Sequence, residues 1–126
     1  MRILLAEDNL VNQKMTVKIL EKRGWYVEAV EDGKEVLEKL NKNQFDVILM
    51  DTQMPHLDGL ETTRIIRAEE QKTGTHIFIV ALTARVMEED RKQCIAAGMD
   101  DYVAKPIDRQ KLYATIEGLF EKRKGL

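Results

Sequence analysis

Short apolar runs alternate along this chain with longer segments in which apolar residues recur at helical spacing. Such alternation is typical of parallel strands that are joined by helices. Most of the runs are nearly continuously apolar, as expected for strands that are covered by helices on both faces. Five strands are therefore predicted, at residues 3–6, 25–30, 45–50, 77–82 and 102–104.

The segments between the predicted strands carry signals for helices and for their ends. Asp32 with Glu35, and Asp58 with Glu61, have the spacing of an N-terminal capping box and predict the starts of the second and third helices. The fourth helix is predicted to end near Gly98. The first helix is predicted to have an apolar face formed by Val11, Met15, Ile19 and Leu20, with Gly24 at its C-terminal cap.

Together these elements predict an α/β fold in which a five-stranded, doubly wound sheet is covered by helices on both faces. The length of 126 residues fits one domain, predicted to span residues 1–126. Lysines and arginines number 20 against 22 aspartates and glutamates, so no basic excess favours binding to a phosphate backbone. Direct binding to nucleic acid is therefore not expected.

The cysteine content and the first residues bear on the compartment. Cys94 is the only cysteine, so it has no partner for an internal disulfide, and with two distant histidines it makes a poor zinc-binding set. The apolar residues 3–6 are far too few for a signal sequence or a membrane span. A cytoplasmic location without membrane contact by this domain is predicted.

Residues with chemically active side chains follow four of the five predicted strands. Glu7 and Asp8 follow the first, Asp51 the third, Thr83 the fourth and Lys105 the fifth. Taken singly, an aspartate or a threonine after a strand is usually a turn residue or a helix cap. Because the C-terminal ends of parallel strands lie at one edge of the sheet, these side chains are predicted to lie together.

Three neighbouring carboxylates repel one another, so this predicted cluster needs a cation. A divalent ion with oxygen ligands, and with positions left for water and a phosphoryl oxygen, suits Mg²⁺. Lys105 adds a second positive charge, and the hydroxyl of Thr83 can donate to an oxyanion or accept from one. Such groups stabilise a phosphoryl group during its transfer.

Five short motifs occur in order along the chain: Glu7-Asp8, Leu49-Met50-Asp51-Thr52-Gln53-Met54-Pro55, Asp58-Gly59, Ala81-Leu82-Thr83-Ala84 and Lys105-Pro106. With these motifs the sequence resembles the response-regulator receiver domains of two-component signalling, from residue 2 to residue 120. The resemblance implies a flavodoxin-like (βα)5 fold with parallel strands in the order 2-1-3-4-5.

The same resemblance implies the chemistry of the site. Asp51 is the phosphoacceptor, which takes a phosphoryl group from a phosphohistidine on a partner and forms an acyl phosphate. Asp8, Asp51 and the backbone carbonyl of Gln53 are implied as Mg²⁺ ligands, with Glu7 assisting through water. Lys105 is implied to pair with the phosphoryl oxygens.

A conformational switch is implied as well. Thr83 moves to hydrogen-bond a phosphoryl oxygen, and Tyr102 matches the family's aromatic residue that turns inward when the threonine moves. This movement changes the affinity for a partner. The Lys105–Pro106 peptide bond is expected to be cis, as in the family.

Other segments resemble the receivers of hybrid histidine kinases in particular: Ala6-Glu7-Asp8-Asn9, Val11-Asn12-Gln13 and Ala97-Gly98-Met99-Asp100-Asp101-Tyr102. The implied partner is a histidine kinase or a histidine phosphotransfer domain. Thr52 departs from the pattern, because these receivers more often have an apolar residue there. Gln53 and Arg85 are implied to flank the approach of water to the phosphoryl group, and neither is a strong general base, so slow hydrolysis is expected.

Two other function classes remain open. A Mg²⁺-dependent phosphohydrolase with an aspartyl intermediate needs an acid or base two residues after the nucleophile, where this chain has Gln53. A phosphorylation-independent binding module would be expected to lack part of the set formed by Asp51, Thr83 and Lys105, which is complete here. The sequence therefore favours a signalling phosphoacceptor over an enzyme.

Overall fold

A computed structural model describes residues 1–54, 56–84 and 87–124 of the chain. In this part of the chain strands and helices alternate throughout, which confirms the predicted pattern. The strands are β1 (Arg2–Ala6), β2 (Tyr26–Val30), β3 (Val47–Asp51), β4 (Phe78–Thr83) and β5 (Asp101–Ala104). The helices are α1 (Leu10–Lys22), α2 (Gly33–Lys42), α3 (Gly59–Thr73), α4 (Glu88–Ala97) and α5 (Arg109–Lys124).

The five strands form one parallel sheet in the order β2-β1-β3-β4-β5, as the resemblance implied. The chain leaves β1 toward β2 on one side and returns to β3 on the other side. The C-terminal ends of β1 and β3 therefore border the point at which the strand order reverses, where doubly wound sheets bind ligands.

Two hydrophobic cores cover the two faces of the sheet. Successive residues of each central strand point to opposite faces, so Ile3 and Leu5 enter one core while Leu4 and Ala6 enter the other. All residues of β3 and β4 are buried. Each fully buried leucine or isoleucine stabilises the fold by about 1.5–3 kcal/mol, so this scaffold holds the loops at the sheet edge in place.

Two strands extend one residue further at their C-terminal ends than predicted. Asp51 is the last residue of β3 and pairs with Leu82, and Thr83 is the last residue of β4 and pairs with Ala104. Their backbones are fixed by the sheet, since hydrogen bonding between strands continues to these positions. Both side chains are thus placed by strands rather than by loops.

The predicted helix starts at Asp32 and Asp58 and the predicted end near Gly98 are confirmed, whereas the C-terminal cap of α1 is Arg23, followed by Gly24 with a φ of 87°. The side chain of Asp32 accepts from the backbone N–H of Glu35 at 2.9 Å, and that of Asp58 from Glu61 at 2.8 Å. Gly98 ends α4 with a left-handed backbone, at a φ of 109°. No helix in the described ranges combines the length and the apolar character that a membrane crossing requires.

The predicted apolar face of α1 is wrong in part. Val11 is 68% and Met15 55% exposed, whereas Leu20 is buried together with Thr16. Each residue advances about 100° around a helix, which puts Leu20 about 40° from Thr16 but Val11 about 140° from it. Leu10, the first residue of α1, is also 55% exposed. These three residues, Leu10, Val11 and Met15, are named the α1 patch.

Candidate functional site

Backbone hydrogen bonds to the neighbouring strand continue one residue beyond the C-terminal ends of β1 and β5. The N–H of Glu7, directly after β1, donates to the carbonyl of Val30 at 3.0 Å. The N–H of Lys105, directly after β5, donates to the carbonyl of Thr83 at 2.8 Å. The positions from which these side chains project are therefore fixed by the ends of the sheet.

Lys105 joins two carboxylates that the sequence places far apart. Its Nζ lies 2.9 Å from Oε2 of Glu7 and 3.1 Å from Oδ2 of Asp51. Both carboxylates are buried, Glu7 at 1% and Asp51 at 6% exposure. Asp51 Oδ1 also accepts from the backbone N–H of Gln53 at 3.0 Å. The predicted grouping of these three side chains is confirmed.

The charges of Glu7 and Lys105 depend on one another. Burial raises the pKa of Glu7, the hydrogen bond from Lys105 lowers it, and the proximity of Asp51 raises it further, with a net increase. Burial alone would lower the pKa of Lys105, but its hydrogen bonds to Glu7 and Asp51 outweigh burial and raise it. Lys105 therefore holds its proton more firmly than a free lysine, and Glu7 is harder to ionise than a free glutamate.

Asp8 completes an acidic cluster at this edge. One oxygen each from Glu7, Asp8 and Asp51 lie within 4.8 Å of one another, and Asp8 is exposed to solvent. Hard oxygen donors at this spacing suit a divalent cation such as Mg²⁺, which keeps water molecules in its shell. Among the residues that the structure describes, the ammonium group of Lys105 contacts Glu7 and Asp51, two of the three carboxyl groups, so the cluster could hold a metal ion.

Two side chains from α1 that received no role from the sequence support this cluster. Asn12 Nδ2 lies 3.4 Å from Oε1 of Glu7. Gln13 Nε2 donates to the carbonyl of Glu7 at 3.0 Å and to that of Val30 at 3.3 Å. The sequence signal for this support is the presence of polar residues on the first turn of the helix that follows the acidic pair. That turn must pass beside the pair.

Thr83 lies on β4, which pairs with the strand that ends at Asp51, and Tyr102 lies on β5, on the other side of β4. Thr83 is 5% exposed and borders a cavity of about 160 Å³ that Thr52, Gln53 and Cys94 also line. Tyr102 is half-buried, and the guanidinium carbon of Arg91 lies 5.3 Å from the centre of its ring. The threonine is thus placed at the site as predicted, next to open space into which a side chain can move.

The expected cis geometry of the Lys105–Pro106 peptide bond is confirmed. Arg85, expected near the phosphoryl group, lies outside the described residues. The roles of Gln53 as a metal ligand and in phosphoryl lifetime, and the movements of Thr83 and Tyr102, remain predictions.

His56 is a contact near the site that the sequence did not reveal. It has a left-handed backbone, with a φ of 66°, and its Nδ1 lies 2.9 Å from Oδ2 of Asp32. This hydrogen bond, together with one from the N–H of Glu35, lowers the pKa of Asp32. The pair links the loop after β3 to the start of α2, and Gly33 N–H reinforces the link by donating to the carbonyl of Leu57 at 3.1 Å.

The curated relatives of this chain include large histidine kinases. Hybrid signal transduction histidine kinase K of Dictyostelium discoideum is 42% identical over 127 residues, which cover 97% of this chain and 10% of that protein. Histidine kinase 1 of Arabidopsis thaliana is 39% identical over 151 residues, which cover 94% of this chain and 12% of that protein. The chain therefore spans about a tenth of the length of these relatives.

Among solved structures, the receiver domain of sensor histidine kinase PA1611 from Pseudomonas aeruginosa, with a magnesium ion coordinated in its active site cleft, is 42% identical. It superposes with a TM-score of 0.83 over 92% of this chain and 93% of that chain. The receiver domain of Ssk1 from Saccharomyces cerevisiae, crystallised with the histidine phosphotransfer protein Ypd1, is 29% identical and has a TM-score of 0.88 over 92% of this chain and 86% of that chain.

The family model of the response regulator receiver domain matches residues 3–117. This match covers almost the whole chain, and it includes every residue of the acidic cluster as well as Thr83 and Lys105. The chain therefore belongs to the response regulator receiver domain family.

Proposed function

We propose that this receiver domain is a phosphoacceptor in a two-component phosphorelay, in which Asp51 takes the phosphoryl group from a phosphohistidine of a partner. The observation that carries the proposal is the position of Asp51. It is buried at the end of the central strand, bound to Lys105, and within 4.8 Å of oxygens from Glu7 and Asp8. In this sense the domain supports its own phosphorylation but is not an enzyme with a separate substrate.

The transfer is a displacement at phosphorus. A carboxylate oxygen of Asp51 forms a bond to phosphorus, the bond from phosphorus to the imidazole nitrogen of the donor breaks, and that nitrogen keeps the electron pair. Lys105, already 3.1 Å from Asp51, offsets negative charge on the phosphoryl oxygens. Its raised pKa keeps it protonated throughout the reaction.

Mg²⁺ would be held by Asp8, Asp51 and the backbone carbonyl of Gln53, with Glu7 acting through water, and it would supply further charge neutralisation at the phosphoryl group. The magnesium ion in the cleft of the PA1611 receiver domain supports this assignment. The hard oxygen donors of the cluster suit the same ion.

The phosphoryl group is proposed to change partner affinity through Thr83 and Tyr102. Thr83 moves to donate its hydroxyl to a phosphoryl oxygen, and Tyr102 follows inward. The cavity beside Thr83 supports this assignment because it provides room for the movement.

The partner is proposed to be a histidine phosphotransfer domain or a histidine kinase. The α1 patch supports this, since three apolar side chains are exposed on the helix that begins two residues after Asp8. Exposed apolar patches of this kind are frequent at protein interfaces. The structure of the Ssk1 receiver domain in complex with Ypd1 gives the same class of partner for a relative. The relay is placed in the cytoplasm, and residues 1–126 are treated as one receiver domain.

The lifetime of the acyl phosphate is proposed to depend on Gln53 and Arg85, which flank the approach of water. The amide of Gln53 does not titrate and the guanidinium of Arg85 stays protonated, so neither activates water strongly. This property separates the proposed phosphoacceptor from a phosphohydrolase, which would need an acid or base at the position of Gln53.

The experiment is the labelling of Asp51→Asn by acetyl phosphate in the presence of Mg²⁺, followed by intact mass spectrometry. The wild type should gain one phosphoryl group and the variant none. Asp46→Asn is the matched control, because it makes the same change at an exposed residue just before β3, at the opposite edge of the sheet. A phosphoryl adduct of equal abundance in Asp51→Asn would contradict the proposal.

A further inference from the structure

The guanidinium of Arg67, in the middle of α3, connects three separate parts of the chain. Its Nε donates to the carbonyl of Gly98 at 2.8 Å, and its Nη1 donates to the carbonyl of Ile77 at 2.8 Å. Its Nη2 donates to Oδ2 of Asp100 at 2.8 Å. The side chain is 16% exposed, so these bonds are shielded from competing water.

Two carboxylates hold the guanidinium and are themselves held by the backbone of the segment that leads into β4. Glu70 Oε1 lies 2.5 Å from Nη1 of Arg67, and its Oε2 accepts from the N–H of Ile77 at 2.6 Å. Asp100 Oδ2 accepts from the N–H of Ile79, and Oδ1 lies 2.8 Å from Nε2 of His76. Arg67, Glu70, His76 and Asp100 are named the Arg67 cluster.

The end of α4 also fits the Arg67 side chain sterically. Gly98 has a φ of 109°, and a Cβ added there would lie 2.6 Å from Cγ of Arg67. The N–H of the next residue, Met99, donates to the carbonyl of Cys94 at 3.0 Å, and Met99 is 4% exposed. The C-terminal end of α4 and the start of β5 are therefore held to α3 by packing and by charged hydrogen bonds.

Within the described residues, the N-terminal half of α4 is held less closely, by the contact of Arg91 with the ring of Tyr102. Its capping residue, Met87, is 73% exposed, and methionine has no side-chain oxygen to accept from the first turn. The buried residues of α4 are Cys94 and Ala97, both in the C-terminal half. This less buried end of α4 is the one nearer to Thr83 along the chain.

We propose that Arg67 is a positioning residue that fixes the C-terminal end of α4, so that the response of α4 to phosphorylation is confined to its N-terminal half. This inference rests on the proposed function, since phosphorylation of Asp51 supplies the stimulus. Helix α4 then pivots about the end that Arg67 holds. The surface that a partner contacts changes at the other end of α4, near Thr83.

Amide hydrogen exchange measured by mass spectrometry tests the proposal, with and without acetyl phosphate and Mg²⁺. In the wild type, phosphorylation should change the exchange of residues 88–91 and leave that of 94–100 unchanged. In Arg67→Met, exchange of 94–100 should be faster by about tenfold or more before phosphorylation, because charged hydrogen bonds are lost. Phosphorylation should then change both segments.

Arg64→Met is the matched control. It removes an arginine of the same helix whose pair with Glu61 is exposed, both side chains at 54%, and it should behave as the wild type. If Arg67→Met does not fold, Asp100→Asn serves instead, because it weakens the bond to Arg67 while it keeps an acceptor for Ile79. In Asp100→Asn, phosphorylation should likewise change the exchange of both 88–91 and 94–100, but by a smaller amount.

Two results would overturn the proposal: exchange of 94–100 that is unchanged in the folded Arg67 variant, or a phosphorylation response spread evenly along α4 in the wild type. A purely structural role predicts faster exchange that phosphorylation does not alter further, which also contradicts it. Failure of the proposed function gives a different result, namely no phosphoryl adduct on the wild-type protein in the mass spectrum of the same samples.

Discussion

Lys105 determines which charges the site can hold. It contacts two buried carboxylates at 2.9 and 3.1 Å, and an isolated carboxylate in their place would be strongly destabilised. The raised pKa of Glu7 shows that this compensation is incomplete, since burial and the proximity of Asp51 still favour the protonated form. A further cation at Asp8 would therefore favour ionisation of the cluster as well as bind the phosphoryl group.

The Asp32–His56 pair gives a prediction on pH. The pKa of Asp32 lies below its ordinary value of 3.8, so the stabilisation from ionised Asp32 is complete above the unfolded pKa and is lost as the pH falls through the folded pKa. Asp32→Asn, which keeps the helix cap, should lower the free energy of unfolding at pH 6 by about 0.5 kcal/mol. The difference should shrink below about pH 4.

Urea denaturation of both proteins at pH 6 and pH 3 measures this difference. His56→Gln is the control, because it keeps the Asp32 carboxylate and its helix cap while it removes the imidazole. That variant should also reduce the dependence on pH. A difference between wild type and Asp32→Asn that grows toward pH 3 would show that the sign is wrong.

The residues of the site could be predicted to the extent that strands place them. Glu7, Asp51 and Lys105 each lie at the end of an apolar run, so a parallel sheet places all three at one edge, while their contact also depends on the strand order. The contact of His56 with Asp32 could not be predicted, because it depends on the path of a loop and on a left-handed backbone at a residue other than glycine. The links from Asn12 and Gln13 depend on how the first turn of α1 passes the strand end.

At the scale of elements, helix ends were easier to predict than helix faces. A cap is a local hydrogen bond between residues three apart, as at Asp32 and Asp58, and it needs no knowledge of the rest of the fold. The buried face of α1 is the one that packs against the sheet. It carries Thr16 and Leu20 rather than Val11 and Met15. Apolar residues that do not face the sheet stay exposed, as in the α1 patch.

The α1 patch accordingly gives a prediction on phosphotransfer. Met15→Glu places a charge in the patch, which a docked partner would have to desolvate. Transfer from phosphorylated Ypd1, used as a histidine phosphotransfer donor, should slow by about tenfold, which corresponds to about 1.4 kcal/mol. Labelling by acetyl phosphate should stay unchanged, because a small donor does not touch the patch.

The transfer is followed by loss of label from the donor and gain of label on this domain. Gln71→Glu is the control, since it adds one carboxylate at an exposed position of α3, on the other face of the sheet. Transfer by Met15→Glu at the wild-type rate would exclude the patch from docking. An equal loss with acetyl phosphate would show that the substitution disturbs the acceptor site itself.

At the scale of the molecule, strand order decides where the chemistry lies. Apolar periodicity predicted five strands but not which strands are neighbours, and the order came from the resemblance. In the observed order β1 lies beside β3, so Glu7 and Asp8 meet Asp51 at one edge. The same arrangement brings like charges together within the fold, which lowers the stability of the domain at the cluster that could hold a metal ion.

This conflict between stability and metal binding gives a prediction for Asp8→Ala. Without Mg²⁺ the variant should be more stable than the wild type by about 0.5–1 kcal/mol, because an exposed carboxylate is removed from beside two others. Addition of Mg²⁺ should stabilise the wild type, by about 1.4 kcal/mol at ten times its dissociation constant, but should leave the variant nearly unchanged. Thermal unfolding followed by circular dichroism, with EDTA and with a series of Mg²⁺ concentrations, measures both effects.

Glu21→Ala, which removes one exposed negative charge from the far end of α1, should respond to Mg²⁺ as the wild type does. If Asp8→Ala gained as much stability from Mg²⁺ as the wild type, the ion would bind elsewhere than in the acidic cluster.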